Sequence, residues 1–297
     1  MPPSHPLKAA LWMVGSILSF TAMAVAGRAV SGVHDTFEIM LWRSVTGFGL
    51  VVLVAGAMGR LGDVQTARLP QHLLRNIIHF SGQNLWFWAL TAIPLAQVFA
   101  LEFTSPIWVI LLSPLLLGEG LTARKLLSAG LGFVGTMIVA RPDFGRFDPG
   151  VLAAAASALC FAGSVIMTKR LTRVETLVSI LFWLTLMQTG LGLLASGWDG
   201  RIGLPTLATL PWLLVIGAAG VIAHLCLTMA LSLASASVVV PIDFARLPLI
   251  ALVGMALYHE PLDAAVLLGG GIIFLANWIN IRARTVAPAT ARNVTPR

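Results

Sequence analysis

Ten long apolar runs, separated by short polar or proline-containing segments, divide the chain. Each run is close to the roughly 20 residues that an α-helix needs to cross the hydrocarbon core of a bilayer. The runs cover residues 9–31, 36–58, 72–92, 94–116, 121–140, 149–169, 174–197, 209–233, 236–258 and 262–283. Connections of only a few residues, as at Pro94 and Ala236, place successive helices antiparallel. The pattern predicts an all-α integral membrane protein with ten transmembrane helices.

Composition excludes a water-soluble fold. Hydrophobic residues make up 58% of the 297 residues and charged residues 10%, whereas a soluble domain carries charge at roughly 25% of its positions. The formal net charge of +7 comes from short clusters between the runs and not from a basic helix face, so we expect no nucleic-acid partner. Cys160 and Cys226 lie inside apolar runs without a ligand spacing. We expect both to be packing residues, with no cofactor and no metal site.

The distribution of positive charge predicts the orientation of the chain. With the N-terminus inside, cytoplasmic segments hold 13 of the 19 Lys and Arg residues, Arg75 among them, and the opposite side holds four. This bias predicts a multi-pass protein of the bacterial-type inner (plasma) membrane with both termini in the cytoplasm. Ala24-Val25-Ala26 resembles a signal-peptidase site. Because the first run has a counterpart in the second half of the chain, we expect it to be retained as a helix.

The chain contains an internal repeat. An ungapped shift of 141 residues superposes identical residues along its length. These include Ser16 on Ser157, Phe20 on Phe161, Gly49 on Gly190, Pro70 on Pro211, Phe103 on Phe244, Glu119 on Glu260 and Arg141 on Arg282. We predict two five-helix repeats, residues 1–146 and 147–284, followed by a disordered cytoplasmic tail at 285–297. Because five is odd, the second repeat has inverted topology, an arrangement in which transporter halves rock about a central site.

Two related segments near the repeat ends resemble a known family. Residues 114–122 read PLLLGEGLT and residues 127–135 read LSAGLGFVG, as at the end of an EamA domain. The second copy reads ALYHEPLD at 256–263 and LGGGIIFL at 268–275, with His259 where the usual pattern has glycine. Two such copies over nearly the whole chain resemble the drug/metabolite transporter superfamily. Within it, the chain is most similar to the YddG-type exporters of amino acids and related metabolites.

The resemblance implies a central cavity between the halves, lined by the first, third and fourth helices and by the sixth, eighth and ninth. It also implies export from the cytoplasm by alternating access. Glu119 and Glu260 fall at equivalent helix ends. There a carboxylate can accept hydrogen bonds from the free amides of the next helix, so we interpret both residues as structural.

Ionisable and amide side chains inside the runs are the main candidates for a transport pathway. The midspan set is Arg43, His79, Gln83, Asn84, Glu102, Gln188, His224, Asp243 and Arg246. The shift of 141 residues superposes Gln83 on His224 and Glu102 on Asp243. Equivalent positions in an inverted repeat lie at mirrored depths and face the same axis. We therefore expect these two pairs to converge on one central cavity.

The neighbours of these residues predict an amphipathic pocket. His79, Gln83 and Trp86 share one helix face, as do Phe99, Glu102 and Phe103. The full set of substrate-binding candidates is His79, Gln83, Trp86, Phe99, Glu102, Phe103, Ser164, His224, Asp243 and Arg246. A polar pocket walled by aromatic rings suits an aromatic or large neutral amino acid. The alternative is that His79 and Gln83 only tie helices together, through hydrogen bonds of about 0.6–2 kcal/mol each.

The buried charges bear on energy coupling. Asp243 and Arg246 are three residues apart and can pair on one helix, and Glu102 can pair with Arg43 or Arg246, so that two acids balance two bases. A carboxylate held by arginine does not readily carry a proton, which favours a facilitator or weakly coupled exporter over a proton-driven one. Prolines in the fourth and ninth runs predict kinks there.

Taken together, these features predict a membrane transporter that exports small amphipathic metabolites by alternating access. Aromatic or neutral amino acids are the first candidates, and cationic drugs are a further one. The alternatives are a lipid-carrier flippase, a nucleotide or nucleotide-sugar transporter and, from another class, an intramembrane enzyme. No catalytic residues are predicted, because the chain has no nucleophile-elbow or metalloprotease motif. The expected partners are a small-molecule substrate and the lipid bilayer, with the chain as a monomer or weak homodimer.

Overall fold

A computed structural model describes residues 5–118, 122–141, 148–198, 200, 202–259 and 264–282. This part of the chain is helical and contains no β-strand. Its α-helices are α1 (Pro6–Val30), α2 (Thr36–Ala57), α3 (Leu69–Ala92), α4 (Leu95–Glu102), α5 (Ser105–Leu117), α6 (Ala123–Ala140), α7 (Pro149–Leu171), α8 (Leu177–Ser196), α9 (Leu210–Leu233), α10 (Ala236–Ile242), α11 (Arg246–Tyr258) and α12 (Ala264–Arg282).

The helices have the length and surface of a membrane protein. By length and composition, α1, α2, α7, α8 and α9 can each cross a bilayer, and shorter apolar helical segments lie in α5, α6, α11 and α12. Large apolar side chains point outward, for example Leu115, Leu194 and Trp198, as expected where the solvent is lipid. The fold class predicted from the sequence is confirmed as an all-α, two-repeat membrane protein. The count of ten spans and the cytoplasmic termini stay predictions.

The fourth and ninth apolar runs are each broken into two helices. In the fourth run, α4 ends at Glu102 and α5 begins at Ser105. In the ninth, a 3₁₀ turn from Asp243 to Ala245 joins α10 to α11. Pro106 is the second residue of α5, where a missing amide proton leaves no intrahelical hydrogen bond unmade. The breaks therefore place one carboxylate of each repeat beside backbone that departs from the α-helix.

Most of the helix packing joins one repeat to the other. The principal pairs are α1 with α9, α3 with α7, α2 with α8 and α6 with α12. The shift of 141 residues converts the α1–α9 pair into the α3–α7 pair and maps the other two onto themselves. Both cysteines lie in these contacts. A Cβ added at Gly15 would lie 2.8 Å from Cys226 Sγ, and one at Gly82 would lie 2.7 Å from Cys160 Cβ.

Equivalent left-handed residues end α5 and α11. Gly118 has a φ of 66° and His259 a φ of 54°. Each donates its backbone amide to a carbonyl five residues earlier, in Ser113 and Gly254 respectively. The histidine that departs from the EamA pattern thus makes the same turn as the glycine. The helix ends at Glu119 and Glu260, and the tail at 285–297, lie outside the described residues.

Exchanging these two turn residues has opposite expected effects on stability. His259→Gly removes a Cβ from a left-handed position, and Gly118→His introduces one, at a cost of about 1–2 kcal/mol. We expect the unfolding midpoint in detergent to rise for His259→Gly and to fall for Gly118→His. A midpoint that changed in the same direction in both variants would show that φ at these turns does not set their stability.

Candidate functional site

A central cavity lies between helices of both repeats. Its walls come from α1, α3, α4, α5, α7, α9, α10 and α11 and from the two helix breaks. The cavity offers about 90 Å³ to the centres of water molecules, which is room for several waters. The lining residues are Met13, Phe20, Met23, His79, Gln83, Trp86, Glu102, Phe103, Ser105, Pro106, Phe161, Ser164, Val165, Thr168, His224, Leu227, Val240, Asp243 and Arg246.

Nine of the ten candidates line this cavity, and Phe99 lies behind its wall. Phe99 is fully buried, and its ring packs edge-on against Trp86, with 5.7 Å between the ring centroids. The Arg246 guanidinium lies 5.1 Å from the Phe99 ring centroid. Phe99 therefore supports two lining residues instead of facing a solute.

A buried charge cluster forms where the two broken helices meet. Nη2 of Arg246 donates to Glu102 Oε1 at 2.7 Å and to Asp243 Oδ2 at 2.5 Å. The Trp86 indole donates to the other Glu102 oxygen at 2.7 Å. Glu102 belongs to the first repeat, and Asp243 and Arg246 belong to the second. One guanidinium therefore ties both helix breaks together across the repeat interface.

This cluster has one more carboxylate than it has guanidinium groups. The expected balance of two acids and two bases is wrong, because Arg43 donates to Gln83 at 3.3 Å and leaves Arg246 to both acids. Asp243 Oδ1 is buried without a hydrogen-bond partner among the residues that the structure describes. In a medium of low dielectric constant a surplus negative charge strongly attracts a cation. The cluster is therefore the place in the cavity where a proton or the cationic group of a solute would be neutralised.

Two histidines connect opposite walls of the cavity. Nε2 of His79 on α3 lies 3.2 Å from Nε2 of His224 on α9, and Nδ1 of His79 lies 3.2 Å from Ser164 Oγ on α7. A neutral imidazole has one donor and one acceptor nitrogen, so a single proton lies between the two Nε2 atoms. If His79 donates it, His224 Nδ1 is a donor to its surroundings. If His224 donates it, that Nδ1 is an acceptor.

Sequence reasoning missed several residues of this site. Phe20 and Phe161 both line the cavity, and their superposition under the 141-residue shift was the signal that could have identified them. Arg75, which the charge distribution assigns to the cytoplasmic side, is another such residue, because its side chain is buried within the helix bundle. It is 1% exposed inside α3 and donates to Thr168 Oγ1 at 2.7 Å. Its position four residues before His79 places it on the same helix face.

The charge cluster predicts a rescue experiment. Arg246→Met leaves Glu102 and Asp243 buried without their shared cation, which is expected to cost about 3–5 kcal/mol of unfolding free energy. Adding Glu102→Gln and Asp243→Asn removes the stranded charges and is expected to restore most of the loss. The unfolding midpoint and the yield of monodisperse protein in detergent measure both effects. A triple variant no more stable than Arg246→Met would contradict the proposed electrostatic role.

The family model for the EamA-like transporter family matches the chain twice, at residues 7–141 and 148–282. One solved crystal structure superposes with a TM-score of 0.75 at 20% sequence identity, over 93% of this chain and 97% of that one. That likeness bears on the fold alone.

Similar proteins of known name are bacterial transporters. A riboflavin transporter of Rhizobium johnstonii is 30% identical, over 94% of this chain and 93% of that protein. A riboflavin transporter of Vibrio cholerae is also 30% identical, over 94% and 96%. An S-adenosylmethionine uptake transporter of Rickettsia bellii is 25% identical, over 89% and 90%. The chain belongs to the EamA-like transporter family of the drug/metabolite transporter superfamily, and it is a multi-pass membrane transporter.

Proposed function

We propose that this transporter carries riboflavin, or a closely related flavin, through the central cavity. The observation that carries the proposal is the 30% identity to two riboflavin transporters over more than nine tenths of all three chains. Similarity over the full length includes both repeats and the helices that line the cavity. Flavin transport replaces amino-acid export as the first hypothesis, because no relative described above is named as an amino-acid exporter.

The chemistry of the cavity supports a planar, uncharged and hydrogen-bonding solute. Rings of Phe20, Trp86, Phe103 and Phe161 provide apolar walls, against which a flat heteroaromatic ring can stack. The Gln83 amide and the histidine pair offer hydrogen bonds to ring carbonyls or to hydroxyl groups. A flavin is larger than the free cavity, so binding requires the walls to move apart. Such movement is expected of inverted repeats that rock about a midplane site.

A second candidate, S-adenosylmethionine, is favoured by the charge cluster. Its sulfonium is cationic, and the cluster has two carboxyl groups, Glu102 and Asp243, to the one guanidinium of Arg246. An S-adenosylmethionine transporter is also among the similar proteins, at lower identity. Export of aromatic or neutral amino acids is the remaining hypothesis. The repeat bounds at residues 1–146 and 147–284 and the export direction expected from the sequence are also part of this proposal.

Uptake into proteoliposomes tests the flavin hypothesis. Purified protein is expected to carry radiolabelled riboflavin, and excess unlabelled riboflavin should compete better than S-adenosylmethionine or phenylalanine. His79→Ala and His224→Ala are expected to lower the rate at least tenfold, because each removes the hydrogen bond that joins α3 to α9. Asn84→Ala is the matched control, since Asn84 neighbours Gln83 on α3 but donates to the Phe80 carbonyl of its own helix.

The outcome separates the hypotheses. Saturable riboflavin uptake that both histidine variants lose, while they insert and purify like the wild type, supports flavin transport through this cavity. Uptake of S-adenosylmethionine or phenylalanine without riboflavin would replace the substrate. Riboflavin uptake undiminished in both histidine variants would place the pathway elsewhere. Flux that is equal with and without a pH gradient would identify a facilitator.

A further inference from the structure

Arg43 is a buried arginine that does not line the central cavity. It lies on α2, is 5% exposed and points toward α9. A Cβ added at Gly220 would lie 2.8 Å from Arg43 Nε and 2.9 Å from Nη2. Only glycine leaves this space free, so the surface of α9 is shaped to accept the guanidinium.

The hydrogen bonding of Arg43 is unusual for a buried cation. Within the described ranges it forms no ion pair, and its Nη1 donates to Gln83 Oε1 at 3.3 Å. Its buried Nε has no hydrogen-bond partner in the described part of the chain. Burial of a guanidinium without a carboxylate is costly, and an apolar residue would fill the same space without that cost. The contact with Gln83 is therefore the feature that distinguishes Arg43 from a packing residue.

This contact fixes the orientation of the Gln83 amide. A guanidinium has donors and no acceptor, so it can only bind the carbonyl oxygen of Gln83. The amide nitrogen must then point the other way. Gln83 lines the main cavity. Its Nε2 forms no hydrogen bond to another described residue, and this atom is not fully enclosed by protein. Two N–H donors are thus left for a solute. Without Arg43 the amide can rotate and present its carbonyl instead.

We propose that Arg43 is a positioning residue that holds Gln83 as a hydrogen-bond donor and so selects solutes with a carbonyl or carboxylate oxygen at this point. The inference deepens the proposed function and rests on it where the solute is a flavin, whose ring carries two carbonyl groups. Arg43 does not touch the solute. It determines which hydrogen-bonding groups a solute needs in order to bind beside Gln83.

Transport kinetics test the positioning role. Arg43→Met is expected to raise the KM for riboflavin about tenfold, the equivalent of one hydrogen bond, with a maximal rate close to the wild type. Arg43→Lys is expected to recover part of the loss, because an ammonium group can still donate to Gln83. Gly220→Ala displaces the guanidinium without altering Gln83 and should raise KM in the same way.

Two variants on α2 serve as matched controls for Arg43→Met and Gly220→Ala. Ser44→Ala changes the neighbour of Arg43 on α2, whose hydroxyl donates to the Met40 carbonyl of its own helix. Gly49→Ala adds a Cβ on α2 at a position with no other atom within 4 Å. Both are expected to keep the riboflavin KM within twofold of the wild type. A purely structural role for Arg43 would instead lower the amount of folded protein and the maximal rate, and leave KM unchanged.

A second measurement needs no transported solute. Gln83→Glu places a carboxylate beside Arg43 and removes both amide donors. We expect its unfolding midpoint to match or exceed the wild type, because the new carboxylate pairs with the guanidinium. In the Arg43→Met background the same substitution should lower the midpoint, since the carboxylate is buried without a partner. If Gln83→Glu shifted the unfolding midpoint equally in the wild type and in Arg43→Met, the two side chains would not interact. That result would overturn the positioning role for any substrate.

The outcomes separate this inference from the proposed function. Riboflavin transport with an unchanged KM in Arg43→Met and Gly220→Ala overturns the positioning role and leaves flavin transport standing. Failure of the wild type to carry riboflavin overturns flavin transport. The same KM series is then measured with S-adenosylmethionine, whose carboxylate offers the acceptor. A KM that rises for that solute supports the positioning role, and an unchanged KM, or no transport of either solute, overturns it.

Discussion

The hydrogen bonds from Arg246 to Glu102 and Asp243 hold the centre of the molecule together. Both carboxylates lie at helix breaks, one in each repeat, where the α-helical hydrogen-bond pattern is interrupted. In a membrane-embedded protein such breaks are tolerated only where they are buried or face a water-filled cavity. The shared guanidinium neutralises part of the charge and fixes the distance between the breaks. The cavity beside them lies between two packed helix pairs, α1–α9 and α3–α7, and the broken helices.

The backbone repeats but the chemistry does not. Gln83 corresponds to His224, and Ser105 corresponds to Arg246. The position equivalent to His79 is Gly220, and the space that a side chain would occupy there holds the guanidinium of Arg43. The inverted duplication thus supplies the two walls, and positions that differ between the repeats supply Arg246, the two histidines and Gln83. This asymmetry gives the cavity different hydrogen-bonding groups in the two halves of a nearly symmetric scaffold.

Much of this arrangement was predictable, because hydropathy and an ungapped repeat are properties of the sequence alone. They predicted the all-α membrane fold and placed Glu102 and Asp243 at mirrored positions. They did not predict that α4 ends at Glu102 or that α10 ends directly before Asp243, since a broken helix and a continuous one have the same apolar profile. Periodicity assigns a residue to a helix face but not to a neighbour. For this reason Phe99 was expected to line the cavity, although it lies behind Trp86.

The central claim is that one solute-binding site lies between the two repeats, beside His79, His224 and the Arg246 cluster. A structure of the protein in lipid nanodiscs with saturating riboflavin tests it most directly. The account predicts ring density among Phe20, Trp86, Phe103 and Phe161, with a ring carbonyl within hydrogen-bonding distance of Gln83 Nε2. Riboflavin density on the lipid-facing surface, or an unoccupied cavity at a concentration that saturates transport, would contradict the account.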